Sequence, residues 1–354
     1  QPGEDEHLSD SGNDNTPRRI SLALQGGGAH GAFTWGVLDR LLEEPRLVIE
    51  AISGTSAGAM NAAALAAGYA AGGAEGARRA LERFWLTTSA YAMLSPIRRT
   101  PLHCLTGQWN IDFSPVDFWL NVVSRAFSPY QTNPLNLQPL RLLLAQQIDI
   151  EAVRACETPK VFVTATNVRT GRPRVFHRHE LTVDALLASA CIPHLYQAVE
   201  IDGEAYWDGG YMGNPAIWPL IYEASSADVV LVPINPVVRE AVPRTAFEID
   251  NRVNEIAFNS SLMHEMRAVA FVQKLLEEDA LKEPFASRYR NIRLHRIGDE
   301  QAMASLGVVS KGNAEREFLE YLRDAGRACA DRWLAENFDA LGVRSSLDVR
   351  AAYL

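Results

Sequence analysis

The sequence predicts an α/β protein with three layers, in which helices cover both faces of a mostly parallel central sheet. Three observations support this fold class. Two short apolar segments each run into a loop of small residues and then into a helical repeat, further segments of strand length follow, and the C-terminal part has helical spacing. Strands that alternate with loops and helices are typical of a parallel sheet.

The first strand and helix of the predicted sheet lie on either side of a glycine triplet. Residues 20–24 are apolar and lead into Gln25-Gly26-Gly27-Gly28, which indicates a buried strand that enters a loop. Residues 32–42 then carry apolar side chains at helical spacing. We therefore expect a strand, a glycine loop and a helix in this order.

The second unit repeats this pattern around a serine. Residues 48–52 are predicted to form a strand, Ser53 to Gly58 a tight loop, and the Ala-rich segment after it a helix. The apolar stretch 51–71 is rich in Gly and Ala and interrupted by polar residues, so it predicts a helix packed against a sheet and no transmembrane span.

Later segments complete the sheet and the helical layers. A β-hairpin is predicted around the turn Asp202-Gly203. Helical spacing recurs late in the chain, from Phe318 to Trp333. Further strands are predicted at residues 161–166, 174–176, 228–234 and 291–297.

The domain organisation predicted from the sequence has three parts. Residues 1–17 form a disordered acidic tail, residues 18–235 a catalytic domain, and residues 236–354 a mostly helical part that completes or covers the same domain. Residues 88–140 are rich in proline and aromatic side chains. This insertion is either a cap over an active site or a helical excursion packed on the core.

Composition restricts the classes of partner. The formal net charge of the 354 residues is −9, which argues against a nucleic-acid partner and against strong attraction to anionic lipid surfaces. An enzyme with this charge that acts on lipids would contact a membrane transiently, through apolar side chains. The oligomeric state cannot be deduced from the sequence.

Four widely spaced cysteines fit no metal-binding pattern. They are expected to be free thiols in a reducing compartment, which favours a cytoplasmic location. The four residues are Cys104, Cys156, Cys191 and Cys329.

The segment Gly54-Thr55-Ser56-Ala57-Gly58 fits the nucleophile pattern G-x-S-x-G. A predicted strand precedes it and a predicted helix follows, which is the context that this pattern requires. Small residues allow the sharp turn, and the amides at the helix N-terminus can stabilise developing negative charge. Ser56 is therefore the predicted nucleophile.

The glycine loop also fits G-x-G-x-x-G, through Gly26, Gly28 and Gly31, so a nucleotide-binding protein is an alternative of a different class. Two features count against it. The nearby acid, Glu50, lies early in the second strand, and that strand leads directly into the Ser56 turn. An oxyanion loop explains the triplet better, because amides without side chains can approach a carbonyl oxygen closely.

Asp208-Gly209-Gly210 closes a predicted strand. Alone it would be an ordinary turn. Together, the glycine triplet, the G-x-S-x-G turn and a later D-G-G resemble the patatin-like phospholipase family, from about Arg18 to at least Leu231. The segment from Ser189 to Pro193 resembles a further block of that family.

This resemblance implies a serine acyl hydrolase with a Ser–Asp dyad. Ser56 would be the nucleophile and Asp208 the base, and Gly27, Gly28 and the Ala57 amide would form the oxyanion hole. No cofactor or metal would be needed. The resemblance favours phospholipids, lysophospholipids or neutral acyl esters as substrates, while short soluble esters and intracellular hydroxyalkanoate polyester stay open.

The sequence departs from the family in one position, where His30 stands in place of the usual Arg or Lys. Other histidines leave alternatives. His264 or His295 could complete a Ser-Asp-His triad with Ser56 and Asp208, since the chain order fits. His177 and His179 could suggest a metal pair, but they have little carboxylate support. An inactive patatin-like scaffold is the remaining hypothesis.

Overall fold

The computed structural model describes residues 16–92, 99, 103, 109, 127–281 and 288–354. These residues contain eight strands in one sheet. The strands are β1 Arg18–Leu24, β2 Leu47–Gly54, β3 Lys160–Asn167, β4 Pro173–His177, β5 Val199–Ile201, β6 Glu204–Asp208, β7 Asp228–Val232 and β8 Arg293–Arg296.

The sheet has the order β5-β6-β3-β2-β1-β7-β8, and β4 also pairs with β3. The central strands β3, β2, β1, β7 and β8 are parallel to one another. The hairpin β5–β6 and strand β4 join β3 in antiparallel orientation. The carboxyl ends of β1 and β2 therefore meet at one edge of the sheet, where α/β proteins place their sites.

Eleven α-helices, numbered over the described residues, connect and cover these strands. They are α1 Gly31–Leu42, α2 Ala57–Tyr91, α3 Pro129–Thr132, α4 Pro139–Gln147, α5 Ile150–Ala155, α6 Val183–Ser189, α7 Trp218–Glu223, α8 Ala246–Glu277, α9 Glu300–Ser305, α10 Arg316–Asn337 and α11 Val349–Tyr353.

Two hydrophobic cores lie on opposite faces of the sheet. Strand β1 sends Ile20, Leu22 and Leu24 into the core shared with α1, α2, α6 and α10. Its neighbour Ala23 belongs to the second core, which α7, α8 and α11 cover. Side chains of a strand alternate between the two faces, so an apolar run buried on both faces produces three layers. The predicted α/β/α fold class is confirmed.

The predicted strands and helices are present, with ends that differ by a few residues. Helix α2 continues well beyond the apolar stretch, to Tyr91, because a break at Gly72 and Gly73 lets the chain restart as a second helical segment. Among the described residues, no helix is long and apolar enough to cross a membrane.

Several predictions concern residues outside the described ranges. Residues 1–15 of the predicted tail, most of the insertion 88–140, and Cys104 fall there. The division at residue 235 stays a prediction. Within the described residues, Cys156, Cys191 and Cys329 are buried free thiols, as expected.

Candidate active site

Ser56 lies in a sharp turn between the end of β2 and the start of α2. Its backbone has φ 53° and ψ −121°, a region that non-glycine residues seldom adopt. The next residue, Ala57, begins α2, and the Met60 amide already donates to the Ser56 carbonyl at 3.1 Å. The turn therefore places Ser56 at the N-terminus of a helix, as the G-x-S-x-G pattern predicts.

Hydrogen bonds hold this turn in its unusual conformation. The Ser56 amide donates to the Ser189 hydroxyl oxygen at 2.8 Å. That hydroxyl donates in turn to the Thr164 carbonyl at 2.6 Å. On the other side, the Thr55 hydroxyl donates to the Gly213 carbonyl at 2.6 Å. A strained backbone persists only when its surroundings fix it, and three chain segments do so here.

Asp208 is the last residue of β6 and is 1% exposed. Its amide donates to the Cys191 carbonyl at 2.8 Å, and its carbonyl accepts a hydrogen bond of 2.8 Å from the Thr166 hydroxyl. One carboxylate oxygen accepts from the Gly210 amide at 2.7 Å. The turn Gly209-Gly210 thus orients the carboxylate.

Burial raises the pKa of the Asp208 carboxyl to about 7. Three interactions oppose this rise by favouring the ionised form: the hydrogen bond from the Gly210 amide, a side-chain hydrogen bond from the Ser56 hydroxyl, and the positive charge of Lys311. The structure therefore brings Ser56 and Asp208 together. A carboxylate with a pKa near neutrality is a far stronger base than an exposed aspartate.

The glycine loop packs directly against Ser56. A Cβ atom added to Gly26 would lie 2.7 Å from the Ser56 Cβ, so only glycine permits this approach. The Gly26 amide donates to Asn214 Oδ1 at 2.7 Å, and Asn235 Nδ2 donates to the Gly26 carbonyl at 2.7 Å. Gly28 has φ +58°, which also favours glycine.

Gln25, which is fully buried, anchors the start of this loop. Its amide oxygen accepts hydrogen bonds of 3.0 Å from the main-chain amides of Ile234 and Asn235, just after β7. Its amide nitrogen donates to Asn259 Oδ1 on α8 at 3.1 Å. Strand β7 and helix α8 thus fix the loop that follows β1.

The other residues predicted for the site lie around these three segments. Gly27 precedes a 3-10 turn that begins at Gly28, and Ala57 is the first residue of α2. The first amides of a helix have no partner within it, so these positions can offer donors to a ligand. The remaining glycines of the three motifs are Gly31 at the start of α1, Gly54 at the end of β2, Gly58 in the first turn of α2, and Gly209 and Gly210 after β6.

Sequence reasoning missed the side chains that hold the loop and the turn together. Asn214 and Asn235 bind the Gly26 peptide from segments far along the chain, and Gln25 and Ser189 bind main-chain groups. Gln25 adjoins the glycine triplet and Asn235 follows a strand end, so both positions carried a weak signal. Nothing in the local sequence marks Asn214.

His30 is buried at the end of the 3-10 turn that closes the glycine loop. Burial lowers its pKa well below the ordinary value, and the charges of Lys311 and Arg239 lower it further. Its Nε2 lies 2.7 Å from the Ser310 hydroxyl oxygen, and that hydroxyl donates to the Gly307 carbonyl at 2.6 Å. Since the Ser310 hydroxyl gives its one proton to the Gly307 carbonyl, His30 Nε2 is the donor in this pair, and the lowered pKa of His30 favours the neutral ring.

The two histidines considered for a triad lie in other surroundings. His295 Nε2 is 3.0 Å from Asp228 Oδ1, and its Nδ1 is 2.9 Å from the Ser346 hydroxyl. Both of its ring nitrogens are thus engaged by other side chains. His264 is exposed on α8.

The alternatives that need a metal or a nucleotide gain no support from these surroundings. Within the described ranges, no group of three His, Cys, Asp or Glu side chains could hold a metal ion. His177 hydrogen-bonds instead to Glu180 and Glu223. The Glu50 carboxylate accepts hydrogen bonds from the main chain of Ser225 and Ser226.

Comparisons with known proteins were made for sequence and for structure. The family model described as Patatin-like phospholipase matches residues 22–221, more than half of the chain. No curated protein matches the sequence. Similar solved structures include VipD from Legionella pneumophila, with 16% identity and a TM-score of 0.34, over 88% of this chain and 67% of that one. A second is ExoU of Pseudomonas aeruginosa, which was solved in a heterodimeric complex with SpcU. It has 18% identity and a TM-score of 0.32, over 95% of this chain and 66% of that one. The chain thus spans about two thirds of the length of each structure.

Proposed function

This chain belongs to the patatin-like phospholipase family, and from that premise we propose that it hydrolyses carboxylic esters of lipids with a Ser56–Asp208 dyad. One observation carries the proposal. Ser56, on its strained turn, lies beside the buried Asp208, whose pKa burial raises to about 7 and whose ionised form the Ser56 hydroxyl favours. A serine hydroxyl becomes a nucleophile when an adjacent base can take its proton.

In the first half of the reaction, Ser56 Oγ attacks the carbonyl carbon of the ester and Asp208 accepts the hydroxyl proton. The carbonyl oxygen becomes an oxyanion, which the amides of Gly27, Gly28 and Ala57 stabilise by hydrogen bonds. The carbon–oxygen bond to the alcohol then breaks, and the leaving alkoxide takes the proton from Asp208. An acyl group remains on Ser56.

In the second half, Asp208 accepts a proton from a water molecule that attacks the acyl carbon. The same amides stabilise the second oxyanion. The bond to Ser56 Oγ breaks, the proton returns from Asp208 to Ser56, and the carboxylic acid leaves. A base with a pKa near 7 suits both halves, since it must accept and release a proton in each.

The packing of Gly26 against Ser56 supports the oxyanion role of the loop. The close approach of Gly26 to Ser56 supports the assignment of the amides that follow Gly26 to the oxyanion hole. Asn214 and Asn235 fix the Gly26 peptide from both sides. Donors held in advance of the reaction need little reorganisation in the transition state, which is how oxyanion holes accelerate acyl transfer.

Labelling with a fluorophosphonate probe tests this proposal, because such probes react with activated serines. We expect covalent modification of Ser56 in the wild type and in the control variant Ser305→Ala, which alters an exposed serine on α9. Ser56→Ala should not be labelled, and Asp208→Asn should react at least about a hundred times more slowly. Labelling that persists in Ser56→Ala would refute the proposed nucleophile. Absence of labelling in the wild type would favour an inactive scaffold.

A further inference from the structure

Lys311 lies in the 3-10 turn Val309–Gly312, which packs against the turn Gly28–His30 of the glycine loop. Its ammonium group donates to Asn235 Oδ1 at 2.7 Å. The amide nitrogen of the same Asn235 donates to the Gly26 carbonyl at 2.7 Å. The Asn235 side chain therefore connects the Lys311 ammonium group to Gly26, which packs against Ser56.

The main chain of Lys311 also contacts the loop. A Cβ atom added to Gly28 would collide with the Lys311 carbonyl, so the two backbones are in direct van der Waals contact. The same turn carries Ser310, which accepts the hydrogen bond from His30. The loop after β1 is thus packed against a segment from the C-terminal part of the chain.

The charge of Lys311 acts on both ionisable groups beside the loop. After burial, it is the next cause that lowers the pKa of His30. It also lowers the pKa of Asp208, against the effect of burial. The Lys311 charge therefore acts both on the proposed base and on the histidine of the glycine loop.

The His30 side chain does not supply a positive charge to the glycine loop. His30 is neutral, because burial and the neighbouring cations disfavour its protonation. Arg239 also lowers the pKa of His30, but its guanidinium is paired with Glu255 at 2.5 Å and its Nη1 donates to the Ala304 carbonyl. Pairing with a carboxylate reduces the net charge that Arg239 presents to the loop.

We propose that Lys311 is the cationic positioning residue of this active site: it holds the glycine loop through Asn235 and provides positive charge beside the developing oxyanion and the Asp208 carboxylate. The proposal rests on the proposed hydrolase function. It assigns to the C-terminal part of the chain a direct contribution to the site, and it explains how a buried neutral histidine can occupy position 30 of the loop.

The pH dependence of the reaction distinguishes this role from a merely structural one. The groups that face Asp208 are the Ser56 hydroxyl, the Gly210 amide and the Lys311 charge, and Asp208 also interacts electrostatically with the Cys191 thiol and the Tyr211 phenol. Of these, Lys311 contributes positive charge. Its removal should therefore raise the pKa of Asp208 and move the acid limb of kcat/KM to higher pH.

The experiment compares Lys311→Met, Lys311→Arg and the wild type in hydrolysis of p-nitrophenyl butyrate across the pH range. Lys311→Met should lower kcat/KM by about 10- to 100-fold and move the acid midpoint upward by about half a pH unit or more. Lys311→Arg keeps the charge and should retain the wild-type midpoint. Lys274→Met, which alters an exposed lysine paired with Glu278, is the matched control and should change neither quantity.

A midpoint that stays unchanged in Lys311→Met, whatever the rate, would overturn the electrostatic role. A titration of the Asp208 carboxyl by carbon-13 NMR gives a readout that does not depend on turnover, and it should show the same upward shift in Lys311→Met. Activity that persists in Ser56→Ala would instead refute the hydrolase proposal itself, so the two failures are distinguishable.

Discussion

The main-chain amide of Ser56 donates a hydrogen bond of 2.8 Å to the hydroxyl of Ser189, at the end of α6. Because Ser189 donates in turn to the Thr164 carbonyl on β3, the turn that carries Ser56 is fixed to the sheet from a segment distant in sequence. The position of the nucleophile thus depends on a residue that has no direct part in the proposed chemistry.

Ser189→Ala should therefore disturb both the fold and the reaction. The substitution leaves the buried Ser56 amide and the Thr164 carbonyl without this partner, which costs about 1–3 kcal/mol in the free energy of unfolding. We also expect kcat to fall by at least about tenfold, because a small displacement of a nucleophile slows its attack. Urea denaturation and ester hydrolysis measure the two effects. Ser305→Ala is the control, and equal behaviour of the two variants would contradict the anchoring role.

The backbone of Ser56 predicts a conflict between stability and activity. Its φ of 53° is unfavourable for serine and favourable for glycine. Ser56→Gly should raise the free energy of unfolding by about 1 kcal/mol while it abolishes hydrolysis. Ser56→Ala keeps the strain and serves as the matched comparison in the same denaturation experiment. If Ser56→Gly is the less stable of the two variants, the turn is not strained in the way that its dihedral angles indicate.

The pKa of Asp208 predicts the pH dependence of hydrolysis. A protonated carboxyl group cannot accept the Ser56 proton, and burial raises the pKa of this group to about 7. The value of kcat/KM should therefore rise tenfold per pH unit below this value and level off above it. A rate profile with p-nitrophenyl butyrate measures this midpoint. Full activity at about pH 5 would contradict a base with a raised pKa.

The same pKa links Asp208 to the stability of the protein. A carboxyl whose pKa is raised on folding stabilises the folded state fully below its unfolded pKa, near 3.8, and this contribution is lost as the pH rises to about 7. Asp208→Asn removes the cost of the buried charge. At about pH 8 the variant should be more stable than the wild type by up to about 4 kcal/mol, and the gap should shrink toward pH 4.

Chemical denaturation of the wild type and Asp208→Asn at several pH values checks this linkage. Thr166→Val provides a comparison at the same strand pair, since Thr166 binds the Asp208 carbonyl but carries no charge. Its effect on stability should not change with pH. A gap between Asp208→Asn and the wild type that is constant with pH would show that the Asp208 carboxyl does not titrate as described.

Much of the fold could be predicted from the sequence, because its signals are local. The strand β1 and the turn around Ser56 follow from short apolar runs that end at small residues, and β5–β6 from the turn Asp202-Gly203. Helix α2 was harder to delimit, since Gly72 and Gly73 interrupt the helical dihedrals while the helical segments continue on both sides.

The proposed dyad could also be named from the sequence, because the glycine-rich motifs around Ser56 and Asp208 resemble those of the patatin-like family. The groups that position them could not. Asn214, Asn235 and Lys311 reach the glycine loop from other elements, and their contacts exist only after the sheet has assembled. A single sequence contains no periodicity or spacing that records such long-range contacts. The cap hypothesis for residues 88–140 falls mainly outside the described residues.

Hydrolysis of a p-nitrophenyl ester series, from acetyl to palmitoyl, tests the central claim most directly when wild type, Ser56→Ala and Asp208→Asn are measured in parallel. We predict activity in the wild type, a loss of at least about a thousandfold in each variant, and a preference for acyl chain length that separates a lipid hydrolase from an enzyme for short esters or polyester. A wild type that is silent across the series, or a Ser56→Ala variant that keeps the wild-type rate, would contradict the Ser56–Asp208 mechanism.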